Sequence, residues 1–70
     1  MSVLPRWEWA FDAADGHSLD QPVSPVFANQ YDAEQWIGEN WHTLAARGVH
    51  VARLVNDGSP VTPALVLPAP

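Results

Sequence analysis

The sequence predicts a two-layer α+β domain with the element order ββαββ, in which one helix packs on a four-stranded, mainly antiparallel sheet. Three observations lead to this class: an alternating aromatic segment near the N-terminus, one capped amphipathic segment, and a hairpin pattern near the C-terminus. At 70 residues the chain forms one small domain with a limited core, residues 1–70, and we expect its ordered part to span about residues 5–67. The helix covers one face of the sheet and the other face meets water.

The first strand is predicted over residues 6–13. Trp7, Trp9 and Phe11 recur at every second position, with mostly polar or small residues between them. Side chains of a strand alternate between its two faces, so this period places three aromatic rings on one buried face. Gly16 follows within a turn signal and supplies the positive φ that a tight turn needs.

The second strand has a weaker pattern. Residues 17–26 contain Pro22 and Pro25, which lack the backbone N–H that a central strand requires. We expect a short edge strand near residues 23–27 that pairs with the first strand, and an extended loop over the core is the alternative.

A helix is predicted over residues 30–47. Asn29 is a favoured N-cap, Asp32 places a carboxylate in the first turn, and Gly48 suits the position after the last turn. The apolar residues recur at helical spacing and form one stripe with a tryptophan at each margin. They are Ala33, Trp36, Ile37, Trp41, Leu44 and Ala45.

The last third predicts a β-hairpin. Residues 49–55 are rich in β-forming residues and predict the first strand of the hairpin. Residues 56–58 read Asn-Asp-Gly, a strong turn signal, and residues 61–67 are predicted to form the second strand, which runs back along the first. Pro60 and Pro63 confine the return strand to an edge or a bulge.

The core is predicted from these patterns. Both alternations of the third strand are largely apolar, Val51 with Val55 and Ala52 with Leu54, so some apolar surface is left over on the face away from the helix. The predicted core residues are Trp7, Trp9, Phe11, Phe27, Ala33, Ile37, Trp41, Leu44, Val51 and Leu54.

The charge balance of the chain argues against nucleic acids and anionic membranes as partners. Eight acidic residues face three arginines and no lysine, which gives a formal net charge of −5. Nucleic-acid affinity depends on Lys and Arg, so we predict no binding to nucleic acid, and an anionic membrane repels the chain in the same way. We find no apolar run of the about 20 residues that a membrane span needs, no signal-peptide pattern and no cysteine. We therefore expect a cytoplasmic protein.

No pattern indicates catalysis, a metal site or a cofactor. The three histidines, His17, His42 and His50, do not share the spacing of metal ligands. Ser18, His17 and Asp20 are neighbours in sequence without a nucleophile elbow, and the four glycines are isolated. We predict no catalytic, cofactor-binding or metal-binding residue, and we expect a protein that is not an enzyme.

Three function hypotheses stay open. The first is a small protein–protein interaction module, which binds an unidentified protein or a second copy of the chain as a homodimer. The second is an acidic inhibitor or nucleic-acid mimic that docks on a basic protein surface. The third is a small-ligand-binding or enzymatic role. The candidate interface residues are Trp36 and Trp41 at the margins of the stripe, and Glu34 and Glu39 on the helix.

Nearly the whole chain resembles a set of small acidic proteins common in high-GC Gram-positive bacteria. The helix segment Ala-Glu-x-Trp-Ile-Gly-Glu-x-Trp is the most specific part of the likeness. Where relatives tend to carry an aromatic residue before Gly-Pro, this chain has Val-Thr-Pro at residues 61–63. The resemblance implies the same fold and brings no activity with it. The matching positions are Trp7-x-Trp9, Asp15-Gly16, Phe27, residues 32–41, Gly48-Val49 and Asp57-Gly58.

Overall fold

The computed structural model describes residues 6–61 and 63–68, in which one helix lies on an antiparallel sheet. The α+β class predicted from the sequence is confirmed. The sheet contains five strands because the chain returns from the last hairpin in two short pieces, one before the predicted range 61–67 (Ser59–Pro60) and one within it (Leu65–Val66). The elements are β1 (Trp7–Asp12), β2 (Ser18–Leu19), α1 (Gln30–Ala46), β3 (Val51–Asn56), β4 (Ser59–Pro60) and β5 (Leu65–Val66).

Two six-residue strands form the centre of the sheet. β1 pairs with β3 along its whole length, from Trp7 opposite Asn56 to Asp12 opposite Val51. The strand order is β2-β1-β3-β4, and β5 pairs with the other end of β3. Every pairing is antiparallel. Only these two strands are long, so each outer edge consists of short pieces.

The hairpin after β3 turns at Asp57 and Gly58. Both residues have positive φ, 52° and 86°, as expected for a two-residue turn whose twist matches the strands. The return pairs first through Ser59 and Pro60 and then through β5. Pro63 lies between these two pieces and has no N–H to donate, in agreement with the predicted bulge or edge.

The second strand lies earlier than predicted. β2 pairs with Phe11 and Asp12, whereas in the predicted range 23–27 only Phe27 forms a bridge, to Trp7. Between these contacts the backbone N–H of Trp9 donates a 2.9 Å hydrogen bond to Oγ of Ser24. The prolines on both sides of Ser24 cannot donate, so a side chain replaces a backbone partner at this edge.

Both ends of the helix follow the sequence signals. Asn29 is the N-cap, and its Oδ1 accepts a 2.8 Å hydrogen bond from the N–H of Asp32. At the C-terminal end, the N–H of Gly48 donates to Ala45 and that of Val49 donates to Leu44, at 3.1 and 3.0 Å. This Schellman pattern satisfies two of the last carbonyls, and Gly48 adopts the required positive φ of 94°.

The core lies between α1 and the inner face of β1 and β3. Of the predicted core residues, Trp7, Phe27 and Trp41 are half-buried against the core. The prediction for Val51 is wrong, because its side chain lies on the opposite face of the sheet. The register explains this: directly paired residues share a face, so Ala52 and Leu54 accompany the rings of β1. The buried residues are Trp9, Phe11, Ala33, Ile37, Leu44, Ala45, Val49, Ala52, Leu54 and Leu67.

Candidate functional site

The outer face of the sheet carries an ion pair between its central strands. Nη2 of Arg53 donates a 3.0 Å hydrogen bond to Oδ1 of Asp12, and Nε lies 2.9 Å from Oδ2 but off the line of a hydrogen bond. The apolar residues Val51 and Val55 flank Arg53 on β3, and all three are half-buried. The leftover apolar surface expected on this face is therefore divided by a paired charge.

Trp36 belongs to an aromatic cluster inside the domain. Its ring lies 6.4 Å from that of Phe11 and 5.9 Å from that of Phe27, between ring centroids. It is half-buried against the core. Of the two tryptophans proposed from the sequence as interface anchors, this one packs mainly within its own chain.

Trp41, at the opposite margin of the helix, lines an apolar groove between α1 and β5. The groove has a volume of about 250 Å³. On its sheet side Leu65, which is paired with Ala52 and so faces the helix, is 43% exposed, which is high for a large apolar side chain. We call this feature the α1/β5 groove. It is lined by Ile37, Gly38, Trp41, Leu65, Val66, Leu67 and Pro68.

The two glutamates proposed as interface residues lie on different sides of the helix. Glu34 is one turn before Gly38, and residues four apart lie on the same flank of a helix. Glu39 follows Gly38 directly, which turns it about 100° away from that flank. Both side chains are exposed, and in the part of the chain described here neither forms an ion pair. The fold thus brings Trp41 and Glu34 to one flank and separates them from Trp36 and Glu39.

His42 contacts the anchor tryptophan directly. Its ring stacks on that of Trp41 with a centroid separation of 3.4 Å and an interplanar angle of 29°. His17 lies at the turn after β1, where its N–H donates to Asp15, and His50 precedes β3. The three histidines are therefore on three different parts of the fold. Among residues 6–61 and 63–68, no group of three His, Asp or Glu side chains is arranged to hold a metal ion.

Two other cavities lie elsewhere on the fold. One of about 320 Å³ lies beside β1, and of its three charged residues Glu8 and Arg53 are paired with Arg6 and Asp12, while Asp20 also lines it. Another of about 380 Å³ lies near the C-terminal end of α1. The α1/β5 groove differs from both in that it combines a tryptophan, Trp41, with an exposed leucine, Leu65.

Sequence reasoning did not identify Gly38, Leu65 or Val66 as groove residues. A glycine in the middle of a helix and an apolar segment on an edge strand were the available signals. The groove itself arises because β5, paired with β3, lies across a gap from α1, and no local pattern reports this arrangement.

Within the described residues, no helix is sufficiently long and apolar to cross a bilayer. Helix α1, with 17 residues, is amphipathic and covers the sheet. The main structural indication of function is the α1/β5 groove. Comparison of the chain with protein-family models, with curated proteins and with solved structures gives no match.

Proposed function

We propose that this protein is a non-catalytic interaction module that binds a basic segment of a partner protein. The segment inserts an apolar side chain into the α1/β5 groove and places positive charge beside the helix. The observation that carries this proposal is the exposure of Leu65, which shares the helix-facing side of the sheet with its pair Ala52, beside the half-buried Trp41. Apolar side chains grouped around a tryptophan, with charge at the rim, are typical of protein-binding surfaces.

The size of the groove favours a side chain over a small-molecule ligand. Pockets for small ligands commonly enclose about 300–1,000 Å³ and contain several convergent polar groups. The α1/β5 groove, at about 250 Å³, is smaller and is lined by apolar residues and a glycine. A single leucine-sized or methionine-sized side chain of a polypeptide fits this description.

The charge of the chain favours a basic partner. Two of the three arginines, Arg6 and Arg53, already lie against Glu8 and Asp12. The whole chain has a net charge of −5, and the exposed Glu34 adds negative charge on the groove flank of the helix. A second copy brings the same negative charge and is repelled, whereas a lysine- or arginine-rich segment is attracted and steered to the surface.

Peptide selection followed by affinity measurement tests the proposal. A library of short random peptides displayed on phage is selected against the immobilised chain, and an enriched peptide is synthesised with a fluorescent label. We expect enriched sequences to combine Lys or Arg with one bulky apolar residue. In fluorescence anisotropy, Leu65→Ser and Trp41→Ala should each weaken binding by about tenfold or more.

Matched control variants distinguish binding in the groove from non-specific binding to exposed apolar side chains. Val23 is 70% exposed on the opposite edge of the sheet, so Val23→Ser should leave the affinity unchanged. Glu34→Gln should weaken binding more than Glu39→Gln and should reduce its dependence on salt. The proposal is overturned if no peptide is enriched, if enriched peptides are neutral or acidic, or if Leu65→Ser binds as well as the wild type. A concentration-dependent dimer in light scattering that Leu65→Ser abolishes also overturns it, because a second copy then fills the groove.

Two further parts of the proposal concern origin and location. The Ala-Glu-x-Trp-Ile-Gly-Glu-x-Trp segment supports a relationship to the small acidic proteins of high-GC Gram-positive bacteria. A cytoplasmic location belongs to the same proposal, and fractionation of cells that express a tagged chain tests it.

A further inference from the structure

Gly38 has no structural requirement within its own chain. It lies in the middle of α1, where glycine destabilises a helix by about 0.5–1 kcal/mol relative to alanine. Its φ is not positive, unlike that of Gly16, Gly48 and Gly58. A Cβ built at Gly38 meets no atom of residues 6–61 and 63–68 within 4 Å, so no element among these residues needs the space either.

The open space above Gly38 lies in the α1/β5 groove. Trp41 borders it on the helix, one turn further on, and Leu65 borders it from the sheet. Gly38 is exposed, and the absence of a side chain leaves helix backbone open to solvent where it lines the apolar groove.

We propose that Gly38 is the contact point at which the apolar side chain of the basic partner segment seats directly against the backbone of α1. This inference rests on the function proposed above and specifies how that site recognises its occupant. Glu34, one turn before Gly38, then faces the positive charge that flanks the apolar side chain. The occupant is thus a segment in which one unbranched or γ-branched apolar residue lies next to Lys or Arg, since such a side chain reaches a recess floor without a bulky Cβ.

The substitution Gly38→Ala separates folding from binding. Alanine raises helix propensity and its methyl group meets no atom of the described residues within 4 Å, so the melting temperature should rise by about 2–8 °C. The added methyl group occupies the seat of the partner side chain, so the affinity for the labelled peptide should fall about fivefold to tenfold. Gly38→Leu fills the recess and should weaken binding further.

Thr43→Ala is the matched control. Thr43 is exposed on α1, five residues from Gly38 and therefore on a different side of the helix. Its replacement also raises helix propensity and should raise the melting temperature by about 2–4 °C, with the peptide affinity unchanged.

The outcomes distinguish this inference from the proposed function. If Leu65→Ser and Trp41→Ala weaken binding but Gly38→Ala binds the peptide as tightly as the wild type, the groove is the site and the role of Gly38 is wrong. If Gly38→Ala and Thr43→Ala weaken binding equally, helix stiffness rather than the recess controls affinity, which also overturns the inference. If no peptide is enriched, both proposals fall together.

Discussion

The indole N–H of Trp9 donates a 2.9 Å hydrogen bond to the backbone carbonyl of Ala33. Trp9 is 5% exposed and Ala33 is fully buried, so this bond joins the middle of β1 to the first turns of α1 across the core. The backbone N–H of the same tryptophan donates to Ser24. One residue therefore holds the central strand, the proline-containing edge segment and the helix together.

Removal of the indole N–H should destabilise the domain more than the loss of ring size alone. We expect Trp9→Phe to lower the free energy of unfolding by about 1–3 kcal/mol, because a buried hydrogen bond and packing are both lost. Trp36→Phe, at a half-buried position, is the control and should cost about 1 kcal/mol less. Urea denaturation followed by circular dichroism measures both. Equal losses contradict a special role for the bond to Ala33.

Alanine at Gly48 should have the opposite effect to alanine at Gly38. Gly48 has a φ of 94° at the end of α1, a conformation that costs a residue with a Cβ about 1–2 kcal/mol. We therefore expect Gly48→Ala to lower the free energy of unfolding by this amount, whereas Gly38→Ala raises it. Parallel urea titrations provide the comparison, and the same sign for both variants is inconsistent with the helix end described here.

The Arg53–Asp12 pair should contribute modestly to stability. The two side chains are 38% and 16% exposed, so solvent screens part of their attraction. A double-mutant cycle with Arg53→Ala and Asp12→Ala should give a coupling energy of about 1 kcal/mol, reduced by about 0.5 M salt. The Arg6–Glu8 pair, separated by 3.5 Å and more exposed, should give about 0.3 kcal/mol. A larger coupling for Arg6–Glu8 is the contrary result.

Leu67 should anchor the last described segment to the core. It is 6% exposed, and its N–H donates a 2.7 Å hydrogen bond to the carbonyl of His50. Leu67→Ala removes buried methyl groups and should cost about 2–3 kcal/mol. Val66→Ala, 68% exposed at the next position, should cost less than about 0.5 kcal/mol. Thermal unfolding of both variants measures these losses. If Leu67→Ala is as stable as the wild type, the segment that contains β5 and Leu67 is not packed on the sheet.

Local patterns in the sequence were sufficient for the class of fold and for several boundaries. The alternation of Trp7, Trp9 and Phe11 predicted a strand, and Asn29 and Gly48 predicted the helix ends to within one residue. Helix capping and strand alternation depend on residues only a few positions apart in the sequence. Their signals can therefore be read from a short stretch of the chain.

Other features depended on residues far apart in the chain. Within β3, Val51 and Leu54 are equally apolar, so nothing local decides which alternation faces the helix. The pairing of Trp9 with Leu54 decides it, because residues opposite each other point to the same face. The position of the second strand was also undetermined, because prolines prevent regular pairing and leave a side chain, that of Ser24, to satisfy β1.

The sequence by itself determined the helix, the two central strands and the turn at Asp57 and Gly58, and the tertiary structure decided the short edge strands and the surface. The stripe on α1 placed tryptophans at both margins, yet Phe11 and Phe27 cover Trp36, while Trp41 borders an open groove. That difference depends on residues distant in sequence, since Phe11 and Phe27 reach Trp36 while Leu65, more than twenty residues after Trp41, lies across the groove from it. Exposure is a property of the assembled fold, since each side chain is covered only by what long-range packing brings against it.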